Sequence, residues 1–317
     1  MNLANYLVIS ILVISVLIFI YFLKMYDPDN YVYLQDDERL FSPVCSKENI
    51  ATYLKNNMNN SPVIWSFWND KDKLPKSVYI CLESWKKFMP RCIICLLSPK
   101  TLLNFLDKED IPTGSRQIQF MTDIYRIMLL EKYGGLWLDS TLFLNRSIYN
   151  IWFPQTYDIG GYYIKSKTSD MNHPVFENWF ISAPKGSLLI KNWKDELFKA
   201  YAMTLNHKNN DAYFNHLRKE GVDLQNIGSS YLWMHGAFLK VINNKNYKMK
   251  LYPADLDSGP FDYLVEHKWD TKSAVHKLIR STDYSHCNVI KLRGSERDFL
   301  QSRLWLISKN STIGHLL

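Results

Sequence analysis

From residue 61 onward, short unbroken apolar runs alternate with stretches whose apolar residues recur at helical spacing. VIWSFW (63–68) reads as a buried strand, because a strand covered on both faces loses its polar alternation. The stretch 76–88 carries Val78, Cys81, Leu82 and Trp85 on one helix face. RCIICLL (91–97) repeats the strand pattern, and PKTLLNFLDKED starts a short helix at a proline. Such strand–helix alternation predicts an α/β fold with a mostly parallel central sheet flanked by helices. Further on, 115–132 places Met121, Ile124, Tyr125, Met128 and Leu129 on one helix face, and Tyr133-Gly134 stops it. YDIGGYYI (157–164) and NWFISAP (178–184) read as strands, and 186–203 and 228–243 as helices. KMKLYPADLDSGPF ends a strand in an acidic loop. NVIKLRGSERDFL is a strand, a turn at Gly294 and a helix, and no internal repeat is visible.

The N-terminal pattern differs. Residues 7–23 hold no charge, and at 1.5 Å per residue they span roughly 25 Å, close to the thickness of a bilayer core. No Lys or Arg precedes the run and no small-residue cleavage site follows it, which favours an uncleaved anchor over a signal peptide. The expected organisation is a transmembrane anchor (1–24), a polar stem (25–60) and a globular domain (61–317), in a single-pass membrane protein. The flanking charges leave the orientation open. Sequons at Asn59, Asn145 and Asn310 lean toward a lumenal, Golgi-like side if the source is eukaryotic.

Composition narrows the partners. Hydrophobic residues at 47% and charged residues at 22% exclude disorder. The net charge of +7 is spread along the chain without a basic stripe, which argues against nucleic acid and for a phosphate-bearing small molecule or a membrane surface. Five cysteines are an odd number for a disulfide framework, and CIIC lacks the second pair or histidines of a metal site, so core cysteines are expected.

The chemistry concentrates at YGGLWLDST (133–141), where a buried strand ends on Asp139. Asp and Ser initiate turns, yet ligands of open α/β sheets also bind beyond the carboxyl ends of strands. Asp123 and Arg126 lie three apart on the preceding helix, on the side away from its apolar stripe. They form either a solvated ion pair or, together with Asp139, a grip for ribose, pyrophosphate and a metal or sugar hydroxyl.

TDIYRIMLLEKYGGLWLDST resembles the S-D-x-x-R and Y-G-G-x-W-x-D motif of the DXD-containing sugar transferases, most closely the capsular polysaccharide synthesis protein family. The likeness extends over roughly residues 62–300, through VIWSFWND, SVYICLESWKKFMP, WFISAPKGSLLIKNW and VIKLRG. It implies a GT-A-type nucleotide-diphospho-sugar transferase fold and a donor that is usually a uridine diphosphate sugar. By the same resemblance, Trp68 stacks on the nucleobase with Trp65 as the rival ring, Asp123 and Arg126 bind donor sugar hydroxyls and phosphate, and Asp139 is the first Asp of DXD. The second Asp is replaced by Thr141, a poorer ligand for Mn²⁺ or Mg²⁺. Substitute ligands are expected from Asp257, beside Asp255 and Ser258, or from His235. The implied reaction is attack of a glycan or polysaccharide hydroxyl on the anomeric carbon with retention of configuration, the leaving diphosphate being met by Arg126, a metal, Lys291 or Arg293. Two competing readings are a non-catalytic nucleotide-sugar or glycan-binding protein with a decayed metal site, and a structural membrane protein.

Overall fold

A computed structural model describes residues 12–16, 52, 55–56, 63–70, 73–114, 117–205, 210–243 and 245–316. Of the expected anchor, only the helical, exposed residues 12–16 are described, and the rest of it and nearly all of the stem lie outside the described residues. Among the described residues, no helix is long and apolar enough to cross a membrane.

Among the described residues there are eight strands: β1 (Val63–Phe67), β2 (Ile93–Leu97), β3 (Gly135–Leu138), β4 (Leu142–Leu144), β5 (Ile159–Tyr163), β6 (Phe176–Ala183), β7 (Met249–Pro253) and β8 (Val289–Lys291). The longer helices are α1 (Lys76–Phe88), α2 (Ile118–Tyr133), α3 (Leu188–Thr204), α4 (Asp211–Lys219), α5 (Trp233–Ile242), α6 (Thr271–Arg280) and α7 (Gly294–Gln301). Six strands form one sheet in the order β2-β1-β3-β6-β5-β7, and β4 pairs with β8 in a separate ribbon. Helices α2, α3 and α5 pack together as one group, while α1 lies against β4 and α7.

The expected mixed α/β architecture with a mostly parallel sheet is present: β2, β1, β3, β5 and β7 run one way and β6 runs against them. β5 and β6 are joined without a crossover helix, and a parallel pair needs one. They therefore form a hairpin in which Tyr163 pairs with Phe176. β1 and β3 are buried along their whole length, as their unbroken apolar runs require. Most of the aromatic content is spent here, since Trp65, Trp85, Trp137, Trp152, Trp193 and Trp233 are all fully enclosed.

Three elements were not expected from the pattern. β4 is only three residues long, and α4 and α6 follow polar segments whose apolar positions are sparse. α2 begins at Ile118, and Ser115 and Arg116 lie outside the described residues. Its stop is as expected: Gly134 adopts φ 69°, and a Cβ there would lie 2.4 Å from the Lys185 backbone nitrogen, so only glycine fits. The cysteine expectation needs correction at one position. Cys81, Cys92 and Cys287 are free, but Cys95 is disulfide-bonded.

Candidate functional site

The chain leaves the sheet at Asp139, and two constraints fix that carboxylate. Its backbone N–H donates to the Trp179 carbonyl at 2.9 Å, extending the β3–β6 ladder by one residue. The Trp137 indole N–H then donates to its Oδ1 at 3.0 Å. A tight turn, with Leu142 N–H on the Asp139 carbonyl, sends the chain into β4. β4 pairs with β8 so that Leu142 faces Lys291. That register delivers the Lys291 ammonium between Asp139 Oδ2 (2.9 Å) and Thr141 Oγ1 (3.0 Å).

Arg126 approaches from α2. Its Nη2 lies 3.0 Å from Asp123 Oδ1 and 3.7 Å from Asp139 Oδ1, its Nη1 donates to the Asn178 carbonyl at 2.5 Å, and its guanidinium sits over the Trp137 ring. Asp123 also accepts from the Asn178 amide at 3.3 Å and from the Trp233 indole at 2.9 Å. The Asp123–Arg126 pair is therefore not a solvated surface pair: Arg126 is buried, and Asp123 turns Oδ1 to that guanidinium and the Asn178 amide and Oδ2 to the Trp233 indole. Burial raises the Asp123 pKa, against the lowering influence of Arg126 and Trp233. For Asp139 burial also acts upward, but Lys291 and Arg126 outweigh it and hold the carboxyl below its usual range. Asp139 is thus the anionic centre of a cationic setting.

These groups line a cavity of about 330 Å³, together with Phe67, Trp68, Phe120, Tyr231, His235, Arg293 and Arg297. Four cationic side chains (Arg126, Lys291, Arg293 and Arg297) face two carboxylates there. Arg297 lies over the half-buried Trp68 ring at 5.7 Å. Arg293 is held by Glu296, a fully buried carboxylate that accepts from the Arg293 backbone N–H, its Nε and its Nη2 at 2.7–3.0 Å, and also from Thr271 and Ser295.

Other expected site residues lie elsewhere. Trp65 is enclosed in the core, packed on Phe105 and Tyr133 with its indole donating to the Gly134 carbonyl; it has no free face for a base, and Trp68 alone of the two lines the cavity. Asp257 and Ser258 are exposed on the loop after β7, outside the cavity lining. Asp255 is buried and caps a turn, accepting from the Lys165 and Ser166 backbone N–H groups at 2.6 and 2.9 Å. His235 does line the cavity. Burial, then Arg126 and Lys167, push its pKa down to about 4, which keeps the imidazole neutral, and its Nδ1 has no partner among the described residues. Asn145 is unsuited to glycosylation, since it is buried with its amide donating to the Tyr284 and Cys287 carbonyls.

A resident divalent ion fits this donor set poorly. Such ions need several oxygen ligands, whereas Asp139 Oδ2 and Thr141 Oγ1 already share the Lys291 ammonium and Asp257 lies outside the cavity. Pattern reading passed over Asn178, Trp137, Trp233 and Arg297. Two of these had a signal: Trp137 is the Trp of the Y-G-G-x-W-x-D motif, and Arg297 stands four residues after Arg293 at a helix start.

A mixed α/β protein with a cavity lined by cationic side chains at the carboxyl edge of its sheet is the class these features define. The chain belongs to the capsular polysaccharide synthesis protein family, whose model matches residues 24–288. Lys291, Arg293 and Arg297 fall just beyond that match. O-glycosyltransferase braB of Annulohypoxylon truncatum is 27% identical over 175 residues, 48% of this chain and 41% of the relative. Glycosyltransferase afumC of Aspergillus fumigatus is 26% identical over 185 residues, 51% and 43% respectively. The matches thus span less than half the length of either relative. The solved PaToxG glycosyltransferase overlaps 63% of this chain and 88% of its own at 14% identity, with a TM-score of 0.32, too low a likeness to identify fold or chemistry.

Proposed function

We propose that the chain is a glycosyltransferase of GT-A type that moves a sugar from a nucleoside diphosphate, uridine being the expected base, to a hydroxyl of a glycan acceptor. The observation that carries this reading is the convergence of Arg126, Lys291, Arg293 and Arg297 on the cavity that holds Asp139, at the sheet's carboxyl edge and beside a half-exposed indole. A diphosphate needs several positive partners, and the planar fork of Arg suits it. The nucleobase stacks on Trp68 and the diphosphate lies against Lys291, Arg293 and Arg126, with the sugar toward Asp139 and the neutral His235. As the glycosidic bond to the diphosphate breaks, negative charge builds on the leaving oxygen. Positioned cations stabilise that charge more than they stabilise the ground state. Lys291 supplies locally the positive charge that a metal brings in DXD enzymes, so Mn²⁺ or Mg²⁺ is not required. Retention of configuration is the stereochemistry the family resemblance implies.

The names of the two relatives support transfer of a sugar. An anchor at residues 7–23 rests on the hydropathy of that run, and a lumenal setting on the disulfide at Cys95, since disulfides persist in oxidising compartments.

The test is nucleotide release from a panel of uridine and guanosine diphosphate sugars with glycan acceptors, by the wild type and by Asp139→Ala and Arg126→Ala. Turnover lost in both variants is the expected result. Saturable nucleotide-sugar binding without turnover by any acceptor would instead support a binding protein, and the absence of nucleotide binding would sink both readings.

A further inference from the structure

Away from the cavity, Asp262, His286 and Cys287 form the one group of three metal-ligand side chains brought together among the described residues. Asp262 Oδ2 lies 3.2 Å from His286 Nε2 and 3.7 Å from Cys287 Sγ, and Sγ lies 3.6 Å from Nε2. A tetrahedral zinc, with bonds of about 2.3 Å to sulfur and about 2.0–2.1 Å to nitrogen and oxygen, sets its ligand atoms about 3.3 Å apart for nitrogen–oxygen and about 3.6 Å apart for the two pairs with sulfur. The three measured separations reproduce those three edges, in the right order for the atom types.

The second observation lies at the other side of the imidazole. His286 Nδ1 faces the Asp283 carbonyl at 2.7 Å. An N–H donated there leaves the Nε2 lone pair aimed at Asp262 and Cys287, the arrangement that orients histidine in metal sites. A Cys–His catalytic pair would need a relay, with Nε2 facing the thiol and Nδ1 facing a carboxylate. Here Nε2 faces both thiol and carboxylate, which suits a common central partner and not a relay. His286 is half exposed, so an ion can enter.

We propose that Asp262, His286 and Cys287 form a zinc site, with a fourth position open to water. One sulfur, one nitrogen and one oxygen favour zinc over magnesium or manganese, which prefer all-oxygen shells. The ion clips the segment after β7 to the approach of β8. The first of these segments supports Lys291, whose N–H donates to the Pro260 carbonyl and whose carbonyl accepts from the Tyr263 hydroxyl, and the second leads into its strand. The site stands whether or not the cavity transfers sugars.

The test is titration of metal-stripped full-length protein with Co²⁺, followed by displacement with Zn²⁺. The expected result is one Co²⁺ per chain, with a sulfur-to-cobalt charge-transfer band in the near ultraviolet and the intense visible bands of four-coordinate cobalt. Cys287→Ser abolishes the charge-transfer band, His286→Ala weakens binding by about tenfold or more, and Asp139→Ala leaves the band intact. Zinc raises the wild-type thermal midpoint and not that of His286→Ala. A wild type without the band, or with only weak non-stoichiometric binding, would reduce the cluster to a His286–Asp262 ion pair and overturn the proposal. A band that survives in folded Cys287→Ser places the metal elsewhere and overturns it equally.

Discussion

Replacing Lys291 by methionine keeps the stem of the side chain and removes its charge. The side chain is nearly buried, 8% exposed, and the partners of its ammonium are Asp139 Oδ2 and Thr141 Oγ1. Removing one partner of a buried ion pair costs about 3–5 kcal/mol. Asp139 is 30% exposed, so water takes up part of the stranded charge, and a stability loss of about 2 kcal/mol is expected. The effect on ligand binding is separate. A hydrogen bond to a charged group contributes about 1.5–3 kcal/mol, and the uncompensated Asp139 carboxylate adds repulsion toward a diphosphate. Affinity for uridine diphosphate is therefore expected to fall about 10- to 150-fold. Uridine itself, which carries no phosphate, is expected to bind Lys291→Met and wild type equally. Calorimetric titration of both ligands, paired with a thermal melt showing that the variant is folded, reads this directly. A folded Lys291→Met protein with wild-type affinity for the diphosphate would refute the assignment of Lys291 to the leaving group.

Other outcomes follow from the same geometry. Trp68→Ala is expected to weaken nucleotide binding by about 1–3 kcal/mol, the range of base–aromatic stacking, while Trp68→Phe retains most of it; equal losses in both would argue against stacking. Trp65→Ala is expected to cost about 3–5 kcal/mol of stability as a core cavity, visible in denaturant titration. Glu296, held down to about 2 despite its burial by hydrogen bonds from Arg293, Thr271 and Ser295, contributes stability that is fully present above its ordinary value of 4.5 and is lost as pH falls toward 2. That amounts to at most about 3 kcal/mol, and Glu296→Gln should flatten the melting temperature against pH over that window. Supplying Mn²⁺ or Mg²⁺ to chelator-treated enzyme should change initial transfer rates by less than about tenfold, since Lys291 provides the local cation that would stabilise the leaving group; strict dependence on the added ion would overturn that part of the reading.

The sheet was legible in the chain because β1, β2 and β3 are almost wholly buried and show it as apolar runs broken only by Ser66. The direction of β6 was not, for a strand's pattern is the same read either way and only the missing crossover helix betrays it. Asp139 stood out because a carboxylate at the end of such a run calls for an explanation. The pairing that brings Lys291 to it was invisible, since it depends on the register of two three-residue strands separated by well over a hundred positions. Trp65 and Trp68 differ in role for a reason of place: one lies within the strand and faces the core, the other just past its end. Asp257 was expected on the resemblance, because family members close the loop after this strand over the donor; here the loop leaves Asp257 exposed and turns its buried member, Asp255, to a local cap.

The reversed strand divides labour at the rim. Because Tyr163 pairs with Phe176, the whole 164–175 loop emerges at the edge where β3 delivers Asp139, yet none of Trp68, Arg126, Asp139 or Lys291 is carried by it. Such a loop can lengthen, shorten or change its side chains without moving the residues that line the cavity. The rim beside the cavity is thereby free to diversify while the cavity lining stays constant.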